Sequence, residues 1–324
     1  LGGNEYYANA GGASIPGKLP SALVIDCAGD DLYESWEPFR QGSGYFGVGL
    51  LLDLAGNDTY TGVRYCQGTG FLGIGILWDQ GGDDIYNAID YSQGVGQFGA
   101  GILLDDAGNN QFRAHVASQA VGLPWGVGLL YCSDPKGNDS YYNKGQHASG
   151  YGDAGSFEGW GQGLGIGHRH FASGGMGLLV DEGGQDRYDA GTFSQGGGYF
   201  YGLGILQDRG NGNDFYRGSR YNQGFTAHQA SGVFLEEGGD DTYVTNHFVA
   251  MGMSWDQSTT LFMDAHGNDS YSAGAHAFGV ASMNGVTMFV DGDGSDSYNG
   301  PRPGENSGNQ YHGGASLAVF ADLG

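Results

Sequence analysis

Aspartates recur in this chain as pairs five residues apart, each pair spanning a glycine and followed by an aromatic residue. In Leu50-Leu-Leu-Asp-Leu-Ala-Gly-Asn-Asp-Thr-Tyr60 the pair is Asp53 and Asp58. In Ile76-Leu-Trp-Asp-Gln-Gly-Gly-Asp-Asp-Ile-Tyr86 it is Asp79 and Asp84. Asp26/Asp31, Asp181/Asp186, Asp264/Asp269 and Asp291/Asp296 repeat the spacing, Asp208/Asp214 stretches it by one residue, and Asp105 and Asp241 each hold one of the two positions. Carboxylates are hard oxygen donors, the ligands that calcium prefers. A pair that returns all along a chain is a poor acid–base catalyst, because catalysis needs one differentiated site. It reads instead as a repeated turn with a repeated capacity for cations.

The elements that must position these acids follow from the repeat itself. Relatives of the two segments begin at Leu23, Ile102, Leu129, Leu178, Ile205, Val233, Leu261 and Met288. The unit is three apolar residues, Asp, two or three variable residues, Gly, a polar residue, Asp, any residue, then Tyr. An aromatic-x-Gln-Gly step follows, as in Tyr65-Cys66-Gln67-Gly68 and Tyr91-Ser92-Gln93-Gly94. A strand with alternate glycines then leads to the next apolar triplet. A period of roughly 26–28 residues lies in the range of solenoids and other arrays, and below the roughly 40 of a propeller blade. One such unit cannot bury its apolar face alone, so copies must stack. The predicted fold is all-β: a tandem-repeat β-solenoid of about eleven coils, residues 1–324 forming a single array. Within Gly47-Val-Gly-Leu-Leu-Leu52 the two-residue strand period puts Val48, Leu50 and Leu52 on one face, expected to be the core. Gly47, Gly49 and Leu51 share the other face, where small residues would let another layer approach closely.

Stacking turns each position into a column. Equivalent residues of adjacent coils lie about 4.8 Å apart, where two unit charges repel by roughly 0.9 kcal/mol in water and several-fold more away from solvent. Two aspartate columns would multiply that repulsion, and cations between them would relieve it. The turns Gly56-Asn57-Asp58-Thr59-Tyr60, Gly82-Asp83-Asp84-Ile85-Tyr86 and Gly239-Asp240-Asp241-Thr242-Tyr243 resemble the calcium-binding RTX nonapeptide repeat, Gly-Gly-x-Gly-x-Asp-x-apolar-x. The resemblance covers about six residues per unit, without tandem nonapeptides and with an aromatic in place of the aliphatic. It implies Ca2+ held by aspartates and carbonyls of successive turns.

Other columns accompany the acids. Tyr33, Tyr60, Tyr86, Phe112, Tyr188, Tyr216, Tyr243, Tyr271 and Tyr298 form an aromatic row that would stabilise a core, or bind glycans if exposed. Gln41, Gln67, Gln93, Gln119, Gln195, Gln223 and Gln310 suggest an amide ladder. The repeat is interrupted by an irregular insertion at 146–177, and insertions in solenoids often carry a binding face. It contains Glu158, Trp160, His168 and His170. An extended His168-Arg169-His170 would present both imidazoles on one face, and His147 and His276 appear in the slot of Tyr65 and Tyr91.

Composition bounds the function. Glycine supplies 67 of 324 residues, and 36 acidic residues against 12 Lys and Arg give a net charge of −24. That charge disfavours nucleic acid and anionic membranes, and no apolar run is long enough for a transmembrane helix. Cys27, Cys66 and Cys132 match no zinc or haem spacing. The sequence opens on the turn half of a unit and stops on the strand half, which suggests head-to-tail association. These observations point to an extracellular or cell-surface structural protein (a scaffold, surface-layer or filament subunit) rather than an enzyme. A polysaccharide-binding or polysaccharide-cleaving β-helix protein is the alternative.

Overall fold

The computed structural model describes residues 2–306 and 313–324. It is an all-β solenoid built from three parallel sheets, two of eleven strands and one of nine. All but the first and last coils run through the same three stations among the described residues. A short strand carries the tyrosine, as in Thr59–Thr61; a shorter one carries small residues, as in Gly70–Phe71; a six-residue strand ends on the first aspartate, as in Ile74–Asp79. We call these the tyrosine, glycine and aspartate sheets. Every pairing between these strands is parallel, so neither a hairpin barrel nor antiparallel blades are formed. Register is set by the repeat: Leu51 pairs with Leu77, Asp53 with Asp79, and Tyr60 with Tyr86.

The inward face of the aspartate sheet is the opposite of the one expected. Gly49, Leu51 and Asp53 point inward and are buried, whereas Val48, Leu50 and Leu52 face outward. The triplet is apolar on both faces, so alternation alone could not orient it. What orients it is the close packing of sheets. A Cβ on Gly49 would lie 2.2 Å from the carbonyl oxygen of Ser43, so only a very small residue fits against the glycine sheet. The close approach predicted for the glycine face is therefore real, and it is the core itself. From Gly232 onward the slot takes Thr260 and Thr287, whose hydroxyls bond across to Thr226 and Ser254, each at 2.6 Å.

The aromatic row is interior. Tyr33, Tyr60, Tyr86, Phe112, Tyr141, Tyr188, Tyr216, Tyr243 and Tyr271 are fully buried, and rings of adjacent coils stack with centroids 4.6–5.1 Å apart. Burial removes this row as a glycan-binding strip. The aromatic-x-Gln-Gly step is the corner between tyrosine and glycine sheets, and it is left-handed: φ is +54° at Tyr65 and +56° at Gln67. Such angles cost a non-glycine residue roughly 1–2 kcal/mol. The glutamine offsets this by tying two coils together. Gln67 Nε2 donates to the carbonyls of Tyr60 at 3.0 Å and Asn87 at 2.9 Å. The row is thus chiefly an amide-to-backbone clamp, with an amide–amide bond from Gln162 to Gln119 at 3.1 Å. Gln310 lies outside the described residues.

Segment 146–177 contains a regular rung. Leu164–Ile166 belongs to the glycine sheet, and Trp160-Gly161-Gln162-Gly163 forms its corner, with φ +56° at Trp160 and +55° at Gln162. Trp160, not His147, fills the aromatic slot there, stacked on Phe193 at 3.9 Å. His276 does fill that slot in its own coil, against Phe248. The extra residues form two excursions, closed by the antiparallel bridges Ala148–Phe157 and His168–Ala172.

Candidate cation site inside the coil

The turn that leaves the aspartate sheet folds both acids of each pair into the interior. Its glycine permits this: Gly56 has φ +148°, and a Cβ there would sit 1.6 Å from the Gly29 carbonyl oxygen of the neighbouring turn. Between Asp53 and Asp58 the chain swings out and back, so that both carboxylates are at most 1% exposed.

The first column contains Asp26, Asp53, Asp79, Asp105, Asp181, Asp208, Asp264 and Asp291, all buried. It is held by the tyrosines. The ring that opens a coil donates its hydroxyl to the acid that ends it: Tyr33 to Asp53 at 2.7 Å, Tyr60 to Asp79 at 2.6 Å, Tyr86 to Asp105 at 2.7 Å, Tyr188 to Asp208 at 2.7 Å. At Asp79 and Asp181 the second oxygen caps the turn, accepting from Gly81 N–H at 3.0 Å and Gly183 N–H at 3.1 Å, whereas at Asp208, Asp264 and Asp291 it is buried without a partner. The second column contains Asp31, Asp58, Asp84, Asp186, Asp214, Asp241, Asp269 and Asp296. Each carboxylate accepts the backbone N–H of its counterpart in the preceding coil: Asp31 to Asp58 at 2.6 Å, Asp58 to Asp84 at 2.6 Å, Asp214 to Asp241 at 2.6 Å, Asp269 to Asp296 at 2.8 Å. The other oxygen of Asp31, Asp58, Asp84, Asp186, Asp241, Asp269 and Asp296 is buried and has no hydrogen-bond partner.

The two columns lie close together. Asp31, Asp53 and Asp58 bring carboxylate oxygens within 4.8 Å of one another, as do Asp58, Asp79 and Asp84, and Asp181, Asp186 and Asp208. None of the ion pairs among the described residues involves either column. Burial, followed by the charges of Asp53, Asp79 and Asp31, pushes Asp58 up to about 8 from an ordinary 3.8. Burial likewise raises Asp84, Asp186, Asp241 and Asp269, and lifts Asp105, Asp181 and Asp208 well above the carboxylate range. Burying several carboxylates together costs several kcal/mol each unless something neutralises them. Two agents fit: a proton shared within each group, or a cation between the columns.

Calcium fits the donor set. Its oxygens lie at 2.3–2.6 Å, so two ligands of one ion are at most about 5 Å apart, which the 4.8 Å groups satisfy. Asp58 and Asp84 would supply the orphan oxygens and Asp79 the third. A bound ion would supply positive charge to a column that lacks it. The remaining ligands of a six- to eight-coordinate ion would come from backbone carbonyls or water.

Several column members escaped the sequence reading because the residue type changes. Glu236 stands in the first column and receives the Tyr216 hydroxyl. Cys132 interrupts that column, forming a group with Asp139 and Asp181. Asn110 takes a second-column place, bonding Asp105 at 2.8 Å and accepting the Asp84 N–H at 2.9 Å. Glu5 lies with Asp26 and Asp31. Strand register, visible as Glu236 paired with both Asp208 and Asp264, is the signal that finds them.

The proposed local site of the insertion divides. Glu158 and Trp160 meet: Trp160 Nε1 donates to Glu158 Oε2 at 2.7 Å, Thr192 donates to the same oxygen at 2.9 Å, and Gly150 N–H donates to Oε1 at 2.6 Å. These bonds pin the excursion to the next coil. His168 and His170 are exposed in a turn, with φ +71° at His170. The extended strand that would have aligned their imidazoles is absent; His168 packs against Phe171.

Fold and columns together define a β-solenoid repeat protein. No family model matches the chain, and no curated protein or solved structure matches it either.

Proposed function

We propose that this β-solenoid is an extracellular structural repeat protein, a scaffold, surface-layer or filament subunit, whose interior acid columns are neutralised by calcium. The observation that carries the reading is the run of buried second-column carboxylates, which bond along the stack through one oxygen and, at every member but Asp214, keep the other buried without a partner. Such a run contributes mechanical continuity rather than a reaction centre. The same unvarying register favours end-to-end association, because each rung offers the next an edge of matching hydrogen bonds. Thermal melting in calcium and in chelator at pH 8 tests the calcium role; a melting temperature unchanged by chelation refutes it. Light scattering and electron microscopy test assembly, and monomers at every concentration with calcium present refute it.

A second reading, binding of polysaccharide, draws on the corner aromatics. Phe193 stacks on Tyr221 at 4.5 Å, beside a cavity of about 130 Å³ lined by Tyr151, Arg169, Tyr199, His228 and Trp255. Retention on a glycan array, lost in Trp255→Ala and Tyr199→Ala, would favour it over the scaffold.

A further inference from the structure

We infer that the outer face of the aspartate sheet is a docking surface for a second copy of this chain. The outward positions of all eleven strands contain no Asp, Glu, Lys or Arg, although the chain has a net charge of −24. Their central row is apolar in every strand, running through Leu50, Ile76, Ile102, Leu129, Leu178 and Ile205 to Met288 and Val319. Exposure along the flanking row is high for apolar side chains, 43% at Val48 and Ile74 and 40% at Val127. The polar alternative exists in the same molecule: outward residues of the tyrosine sheet include Thr59, Thr61, Asn87, Arg113 and Arg187. Strand geometry alone therefore does not require an apolar outer face.

Eleven strands at about 4.8 Å spacing and six residues at about 3.3 Å make a face of roughly 50 by 20 Å, about 1,000 Å². The largest apolar patch on an ordinary monomer is about 300–600 Å². A stable interface needs about 800 Å² from each partner, so a second copy laid face to face, with sheets about 10 Å apart, meets the requirement. The face is self-complementary by being uniform and charge-free, which suits a two-fold, closed dimer. This association is separate from end-to-end growth: it stops at two, and it uses no sheet edge.

Sedimentation velocity of the full chain, at low and high salt and with calcium or chelator, tests the inference. The result expected is a dimer at micromolar concentration that tightens in high salt, since screening weakens the repulsion between two acidic copies while the apolar contact remains. Ile102→Lys combined with Leu129→Lys should weaken it at least about a hundredfold, because each lysine would be buried unpaired. Circular dichroism checks that the pair still folds. Ile102→Ser with Leu129→Ser, a residue already carried outward by this sheet at Ser231, gives a gentler version with the same direction. Thr242→Lys on the tyrosine sheet should leave the dimer intact. A monomer at about 100 μM in both salts overturns the proposal, as does a dimer that survives both double substitutions. Open polymers in place of the dimer, unchanged in those variants, would also overturn it while leaving end-to-end assembly standing.

Discussion

Two neighbouring turns solve the same problem differently. At Asp84 the carboxylate uses one oxygen to accept the Asp58 N–H and leaves the other buried without a partner. One coil later Asn110 fills the same place, accepts the Asp84 N–H, and donates its amide to Asp105 at 2.8 Å. The difference is a donor. The slot requires an acceptor along the stack and a donor or positive charge toward the first column; asparagine supplies both, and aspartate supplies only the acceptor. Wherever aspartate stands, the missing charge must arrive as a proton or a cation. A second contrast lies within one turn. Asp83 points outward, where its bonds from Asn109 lower its pKa, while burial raises that of Asp84 next to it.

The largest expected effect comes from pH, because many sites add. Unfolded, the second-column acids lose their protons near 3.8; folded, Asp58 keeps its proton until about 8. The folded state therefore binds more protons across that interval, and stability falls as pH rises from about 4 through about 8. Calcium-free melting should show a steady decline between these limits. Calcium binds the ionised form, so its presence should flatten or reverse the slope. A chelated protein that gains stability up to pH 8 would show that the columns are not proton-held.

Breaking the asparagine solution comes next in size. Asn110→Ala strips the donor from Asp105 and the acceptor from the Asp84 N–H, leaving two buried groups unpaired at about 1–3 kcal/mol each. Chemical denaturation should report a loss of about 3 kcal/mol. Exporting the solution is smaller and of opposite sign. Asp84→Asn should stabilise the chelated protein at pH 8 by about 1–2 kcal/mol, in the range of a charge-assisted hydrogen bond, and should reduce the calcium-dependent gain. Smallest is Asp83→Asn on the outside, expected within about 0.5 kcal/mol at any pH; a larger change would erase the contrast between the faces of the turn.

The columns were legible from sequence because a period of roughly 26–28 residues dictates what stacks on what. The coiled architecture, the paired acids, the tyrosine row and the close approach at Gly49 all follow from that period. The inward face did not, because Leu50-Leu51-Leu52 satisfies either orientation and the two-residue period is blind to which side is solvent. The parity of Asp53 with Gly49 and Leu51 held the answer: an acid bonded to a buried tyrosine shares the face of the small residue. Trp160-Gly161-Gln162-Gly163 matched the corner motif yet lay at an unexpected distance, since the first excursion precedes it. The turn at His168 and His170 followed from local closure by Ala172, which no repeat encodes.

The most direct test is terbium, a calcium-sized ion whose luminescence is excited by energy transfer from a nearby aromatic ring. Tyr33, Tyr60 and Tyr188 touch the first-column acids through their hydroxyls, so an ion between the columns would be lit by the buried stack. Tyrosine-excited terbium emission is expected, competed away by calcium and weakened in Asp58→Asn with Asp84→Asn. Emission that is absent from the folded protein, or that is indifferent to those two substitutions, would contradict a cation site between the columns.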